Sequence, residues 1–306
     1  TVTGDSYDLQ KGGIFTLFAK GALTINGTGG IDMSYKGYQH PTDLYNGAQG
    51  SGPLRQGVEI TNNSIARQTP NDPGGGAGAY QNDTAGGGGG YAATGSNSAT
   101  RSGYYCYGGP AYGSADLAKL FMGATGGSAA GYQYSGAGGG IILLHASEIN
   151  CVNSTSKISV NGQKGPDSTG AYGVNQAPGG SAGGSILIHA GAIVATSANI
   201  EALKGLKGLG LNTSTNDGGD GSVGRIAISH PANVALTGNE TSPAPYNDGT
   251  LTMPYKMSGL STDPGKIRLY RMDTGAFVME QAIEAGSYNA SIGAPSAGPY
   301  LVVAIP

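Results

Sequence analysis

Four short apolar bursts set the pattern of this chain, and each is followed by a polar step and a second alternating stretch. They read Ile14-Phe-Thr-Leu-Phe-Ala19 then Leu23-Thr-Ile-Asn-Gly27, and Ile141-Ile-Leu-Leu-His-Ala146 then Ile158-Ser-Val-Asn-Gly162. The third is Ile186-Leu-Ile-His-Ala190 followed by Ile193-Val and Ile200-Glu-Ala-Leu203, and the fourth Arg225-Ile-Ala-Ile-Ser-His230 followed by Val234-Ala-Leu236. Bursts this short and β-branched predict strands rather than helices. Phe15, Ile142, Ile186 and Ile226 take the same slot at spacings of 127, 44 and 40 residues. The first spacing is about three times the others, so residues 45–140 have room for two degenerate repeats. A strand pair of this size cannot bury its apolar face alone. Stacked copies can, with equivalent side chains in ladders. The pattern therefore predicts a glycine-rich β-solenoid over residues 1–236, all-β and resembling a β-helix, with His145 and His189 as a stacked pair.

Glycine changes the picture between the bursts. It makes up 58 of 306 residues, well over twice the roughly 7 % of average usage. Tracts recur directly before strands, as in Gly138-Gly-Gly-Ile141 and Gly183-Gly-Ser-Ile186. Such placement marks positions with no room for a Cβ. Two packings satisfy it: tight solenoid corners, or polyproline-II-like glycine helices lying side by side.

After residue 237 the composition shifts. Residues 237–258, with Pro243, Pro245 and Pro254, read as a linker, and 259–306 as a small β-sandwich. Lys266–Arg271, Asp273-Thr-Gly275 and Ala276–Glu280 form a hairpin signal, and 287–292 and 300–305 supply two more strands. The apolar final strand, with Tyr300, Leu301, Val302, Val303 and Ile305, is the segment expected at an assembly contact.

The strand, Asn-Gly and Gly-Gly-Ser-Ile-Leu-Ile pattern resembles the glycine-rich repeat proteins of bacterial exteriors and phages. Its glycine tracts are similar in kind to the polyglycine-helix adhesins at the tips of phage tail fibres. Lys266-Ile-Arg-Leu-Tyr-Arg-Met-Asp-Thr-Gly275, Gly286-Ser-Tyr288 and Tyr300-Leu-Val-Val-Ala304 resemble a small carboxypeptidase-regulatory-like or Ig-like module of virion and bacterial surface proteins. These resemblances imply a non-catalytic structural or adhesive protein, extracellular or on a virion, built with copies of itself or other filament proteins.

Charge and candidate chemistry narrow the classes further. A net charge of −3 with 16 scattered basic residues offers no phosphate-binding patch, which argues against nucleic acid. No apolar run approaches a membrane span. Cys106 and Cys151 fit one disulfide or two buried thiols, and their spacing matches no metal motif. Neither a cofactor nor a metal is expected. Seven sequons, at Asn26, Asn62, Asn82, Asn153, Asn212, Asn239 and Asn289, suit an exterior protein. Thr at position 1 fits a processed or a shortened chain. Asn216-Asp-Gly-Gly-Asp-Gly221 is weakly like a calcium-binding turn.

Tyrosine is the residue that points to recognition. The chain has 18 Tyr, four Phe and no Trp. Tyr80, Tyr91, Tyr104, Tyr105, Tyr107, Tyr112, Tyr132, Tyr134 and Tyr172 fall in or beside glycine tracts. Tyr rings on an adaptable glycine backbone are what recognition loops use, with a glycan or a surface protein as the receptor. The same rings equally suit stacking on glycine faces to fill a thin core. The alternative function is a glycan-binding or glycan-degrading tailspike-like protein, for which Asp32 and Glu201 are the carboxylates that share a strand face.

Overall fold

The computed structural model describes residues 1–8, 11–40, 74–79, 84–100, 103–129, 133–170, 175–195, 199–229 and 241–247, and the backbone of five later strands. The chain divides into Thr1–Gly249 and Thr250–Pro306.

The first unit contains two parallel sheets. Strands β1 (Ile14–Phe18), β2 (Ala22–Ile25), β4 (Ile141–Cys151), β6 (Ser185–Val194), β8 (Arg225–Ser229) and β10 (Tyr246–Asn247) make one. Strands β3 (Gly30–Asp32), β5 (Lys157–Ser159), β7 (Ile200–Glu201) and β9 (Thr241–Ser242) make the other. Pairing is in register, with Phe15, Ile142, Ile186 and Ile226 in one ladder and Leu17, Leu144, Ile188 and Ile228 in the next. Across the core stand Ile31, Ile158 and Ile200 of the second sheet. Parallel strands buried on both faces read as near-continuous apolar runs, as in Ser185–Ile188 of β6 and Ile226–Ile228 of β8, whose successive residues are all buried. The segment read as a linker contributes β9 and β10, which extend both sheets.

These sheets do not make the expected β-solenoid. β1 pairs directly with β4, Phe15 opposite Ile142, so no degenerate coil from residues 45–140 lies between them. Among the described residues 74–140 before β4, the chain forms no strand. Most of it is extended glycine segments buried among one another. Their backbone hydrogen bonds also run in several directions, unlike the neighbour-to-neighbour stacking of a solenoid. Gly86 and Gly89 donate to the carbonyls of Ala177 and Gly180, Gly87 and Gly90 to those of Ala77 and Gly74, and Gly88 to that of Ser96. Likewise Gly218, Gly221 and Gly224 donate to Gly208, Gly205 and Ala202.

Partners that recur every third residue have the period of a polyproline II helix, which forms no hydrogen bonds within itself. Each buried N–H must therefore be satisfied by a neighbour, and a segment flanked on three sides leaves no face for a side chain. A Cβ on Gly88 would lie 1.8 Å from the Asp220 carbonyl oxygen, and one on Gly138 1.8 Å from that of Gly123. The glycines are the condition for this bundle, and the corner reading of the tracts gives way to the helix-like one.

The second unit holds two antiparallel sheets. β11 (Tyr255–Ser261) pairs β14 (Gly286–Ile292), and β12 (Gly265–Arg271) lies between β13 (Phe277–Ile283) and β15 (Tyr300–Ile305). The β12–β13 pair carries a register shift at Leu269/Tyr270. β15, the expected assembly strand, is an edge of its sheet.

Candidate functional site: the turning end of the glycine bundle

Glycine segments lead straight into strands at one end of the bundle: Gly140 precedes β4, Gly184 precedes β6 and Gly224 precedes β8. At the other end lie the described segment ends Ala79 and Thr84, Ala99 and Cys106, Ala129 and Gln133, and Ser168 and Asn175, together with the reversal from Gly210 to Asn216. Hydrogen bonds tie these described residues to one another. Ala79 donates to Ser128, Ala129 to Gln133, Ser168 to Leu209, Leu211 to Asn175, and Ala99 to Asp217. These segment ends thus share one end of the bundle, held in place by the threefold ladders behind them.

The candidate tyrosines divide between the two ends. Tyr104 and Tyr107, at the turning end, are 50 % and 39 % exposed. Tyr105 is half-buried; its hydroxyl donates to that of Tyr107 at 3.1 Å, and the two rings meet edge to face at 4.9 Å. Cys106, between them, points inward against Ala77 and Ala79, with its sulfur 3.3 Å from the Thr84 hydroxyl. The alternation of Tyr105, Cys106 and Tyr107 therefore fixes which rings face out. Tyr134 also lies near this end, its ring 5.3 Å from that of His40. Tyr80, Tyr132 and Tyr172 lie outside the described residues.

Tyr91 and Tyr112 sit at the sheet end, where Tyr91 faces inward and Tyr112 is half-buried beside it. Tyr91 is 0 % exposed, and its hydroxyl donates to Ser185 at 2.5 Å, which passes a hydrogen bond to the Phe121 carbonyl. Burial pushes the Tyr91 hydroxyl up to about 12, so it stays a donor at ordinary pH. The Arg225 guanidinium lies 5.3 Å from the Tyr91 ring centroid and donates to the Tyr112 carbonyl at 3.0 Å. The ring of Tyr112 is 4.7 Å from that of Tyr91 and 5.6 Å from Phe121. This cluster clips residues 91–121 to strands β6 and β8. Tyr91→Phe removes one buried hydrogen bond and is expected to cost about 1 kcal/mol in urea unfolding. A midpoint unchanged by the substitution would count against the clip.

The other chemistry-bearing residues serve the framework. Cys106 and Cys151 form no disulfide with each other: Cys151 lies in the sheet core, where burial pushes its thiol up to about 11. His145 and His189 stand opposite each other on β4 and β6 with rings 6.4 Å apart, in a ladder between Phe18 and Ser229. His230 lies outside the described residues.

Asp32 and Glu201 occupy one column, separated by Ser159. Two strand spacings put them about 9.5 Å apart at the backbone. Each is engaged locally: Asp32 accepts from the Ser34 N–H at 2.9 Å, and Glu201 pairs with Lys157 at 2.5 Å. Asp217 and Asp220, of the calcium-like turn, pair instead with Lys207 at 3.0 Å and Lys204 at 2.6 Å. Among the described residues, no group of three His, Cys, Asp or Glu is arranged to hold a metal. No helix among them is long and apolar enough to cross a membrane.

Sequence reasoning found the exposed tyrosines but missed the groove beside Tyr134. Gln39, His40, Ser135, Gly136, Ala137, Gln163, Lys164 and Pro166 line it with Tyr134, around about 330 Å³. They come from three stretches far apart in the chain, so no local motif could mark them. The chain matches no protein-family model, no curated protein and no solved structure.

Proposed function

We propose that this chain is a structural and adhesive component of a virion or an extracellular filament, acting by contact rather than turnover. The observation that carries the reading is the gathering of hydrogen-bonded segment ends at one end of a rigid bundle, with Tyr104 and Tyr107 exposed there. Loops carry recognition when a rigid scaffold positions them. A bundle with every segment tied to several neighbours keeps its loop ends in place without using side chains. Tyr offers large contact area at low conformational cost, and its hydroxyl suits either a glycan or a protein receptor. The edge strand β15 supplies unpaired backbone groups of the kind that join a neighbouring subunit.

The test is surface labelling of bacterial cells by the fluorescent protein, followed by the Tyr104→Ala/Tyr107→Ala double variant. Buried Tyr anchors commonly carry 2 kcal/mol or more of binding, so the variant is expected to bind about ten-fold or more weakly. Its melting temperature should not change, because both rings are exposed. Equal labelling by the two proteins, or no labelling by the unsubstituted one across a broad panel of cells, would sink the proposal.

A further inference from the structure

We infer that the groove between Gln39-His40, Tyr134 and Gln163–Pro166 is a binding site for a neutral saccharide. It lies on the flank of the bundle, where Gly37 donates to the Gly138 carbonyl and Ala137 donates to the Gln163 side chain. Its volume of about 330 Å³ sits near the lower bound of roughly 300–1,000 Å³ for small-molecule sites. The site is open, which suits a ring or two of a longer chain entering from the side.

Three features select the ligand. The first is aromatic: Tyr134 is half-buried and its ring is backed by that of His40, which is 7 % exposed. A ring held this way offers a fixed face to the C–H side of a pyranose. The second is a complementary pair of amides. Gln39 uses its Nε2 on the Gly37 carbonyl at 3.1 Å, which leaves its Oε1 as an acceptor. Gln163 uses its Oε1 on the Ala137 N–H at 3.0 Å, which leaves its Nε2 as a donor. A sugar hydroxyl both donates and accepts, so adjacent hydroxyls can use both. The third is charge. Lys164 is the lining cation, and its ammonium is held by Asp167 at 2.5 Å. An answered charge gives an acidic ligand little to gain, which favours a neutral one.

The groove's lining includes neither Tyr104 nor Tyr107, so the two readings fail separately. The experiment screens the whole protein against an array of neutral and of uronic- or sialic-acid-bearing oligosaccharides. Retention of neutral saccharides is expected, weakened about ten-fold or more by Tyr134→Ala and little changed by Tyr134→Phe or by Tyr104→Ala/Tyr107→Ala. In the unsubstituted protein, the His40 ring resonance should shift on adding the saccharide that binds best. That readout holds even if the Tyr134→Ala protein does not fold. No neutral saccharide retained, retention only of acidic ones, or an unshifted His40 would each overturn the inference.

Discussion

Gly88→Ala is expected to destabilise the protein by more than about 3 kcal/mol and to lower its melting temperature by roughly 10 °C. The added Cβ would stand 1.8 Å from the Asp220 carbonyl oxygen and 2.4 Å from its carbon. Neither atom is the free end of a side chain, so a main-chain segment must move. That segment is fixed by its own ladder, since Ser96 donates to Asp220 while Gly88 donates to Ser96 and accepts from Gly109. Moving it strains several bonds at once. Overfilling an ordinary side-chain core costs about 1–3 kcal/mol, and backbone that cannot rotate away should cost more. The opposing gain, from a stiffer unfolded chain, is only about 0.4–1 kcal/mol. Gly21→Ala is the matched control, because a Cβ there meets nothing within 4 Å. It should leave stability within about 1 kcal/mol of the parent. Scanning calorimetry of both variants decides the matter. If Gly88→Ala melted within a degree or two of the control, the close-packed bundle would be refuted.

Acid should weaken the fold through His189, and the sign follows from its burial. Desolvation, with the neighbouring His145 adding to it, lowers the His189 imidazole from 6.5 to about 4. The native state therefore holds this ring neutral in a range where the unfolded chain already binds a proton. Above pH 6.5 the group costs nothing. As pH falls from about 6.5 to 4 the unfolded state gains protons and stability drops, levelling once the native ring also titrates. The full effect is on the order of 3 kcal/mol. His145 is shifted in the same direction by its own burial. The measurement is urea unfolding at pH 7 and pH 4.5 for the parent and for His189→Gln. The parent should lose about 2–3 kcal/mol more than the variant over that interval. Parallel losses in both would place the acid sensitivity elsewhere.

Much of the framework follows from local pattern. The runs Ile141–Ala146, Ile186–Ala190 and Arg225–Ser229 form the strands they predict, and the slot shared by Phe15, Ile142, Ile186 and Ile226 is one ladder. The His145–His189 match is a cross-strand pair for the same reason: equal spacing from equivalent slots puts equal residues opposite each other. The Asn-Gly match was misleading. It aligned Leu23–Gly27 with Ile158–Gly162, yet Ile31 stands opposite Ile158, while Leu23 lies against Ile149 of β4. The pleat repeats every two residues, so several registers satisfy one alternating pattern, and only the packing of the two sheets chooses among them.

The chain's composition and spacing determined that it is a β protein, that the strands of the four apolar bursts stack in ladders, and that the glycine tracts before them stand where no side chain fits. Glycine itself carries no direction. A tract accommodates a tight corner and a packed threefold helix equally, and the choice belongs to partners such as Ala177, Gly180 and Gly219 that lie far away in the chain. The same holds for the tyrosines. Tyr91 and Tyr107 both border glycine in the sequence, yet one is buried against Ser185 and the other faces out. Only the tertiary structure decides which end of a segment meets the sheets and which end turns. The groove of Gln39, Tyr134 and Gln163 arises in the same way, because its parts meet only when distant backbone segments satisfy one another's hydrogen bonds.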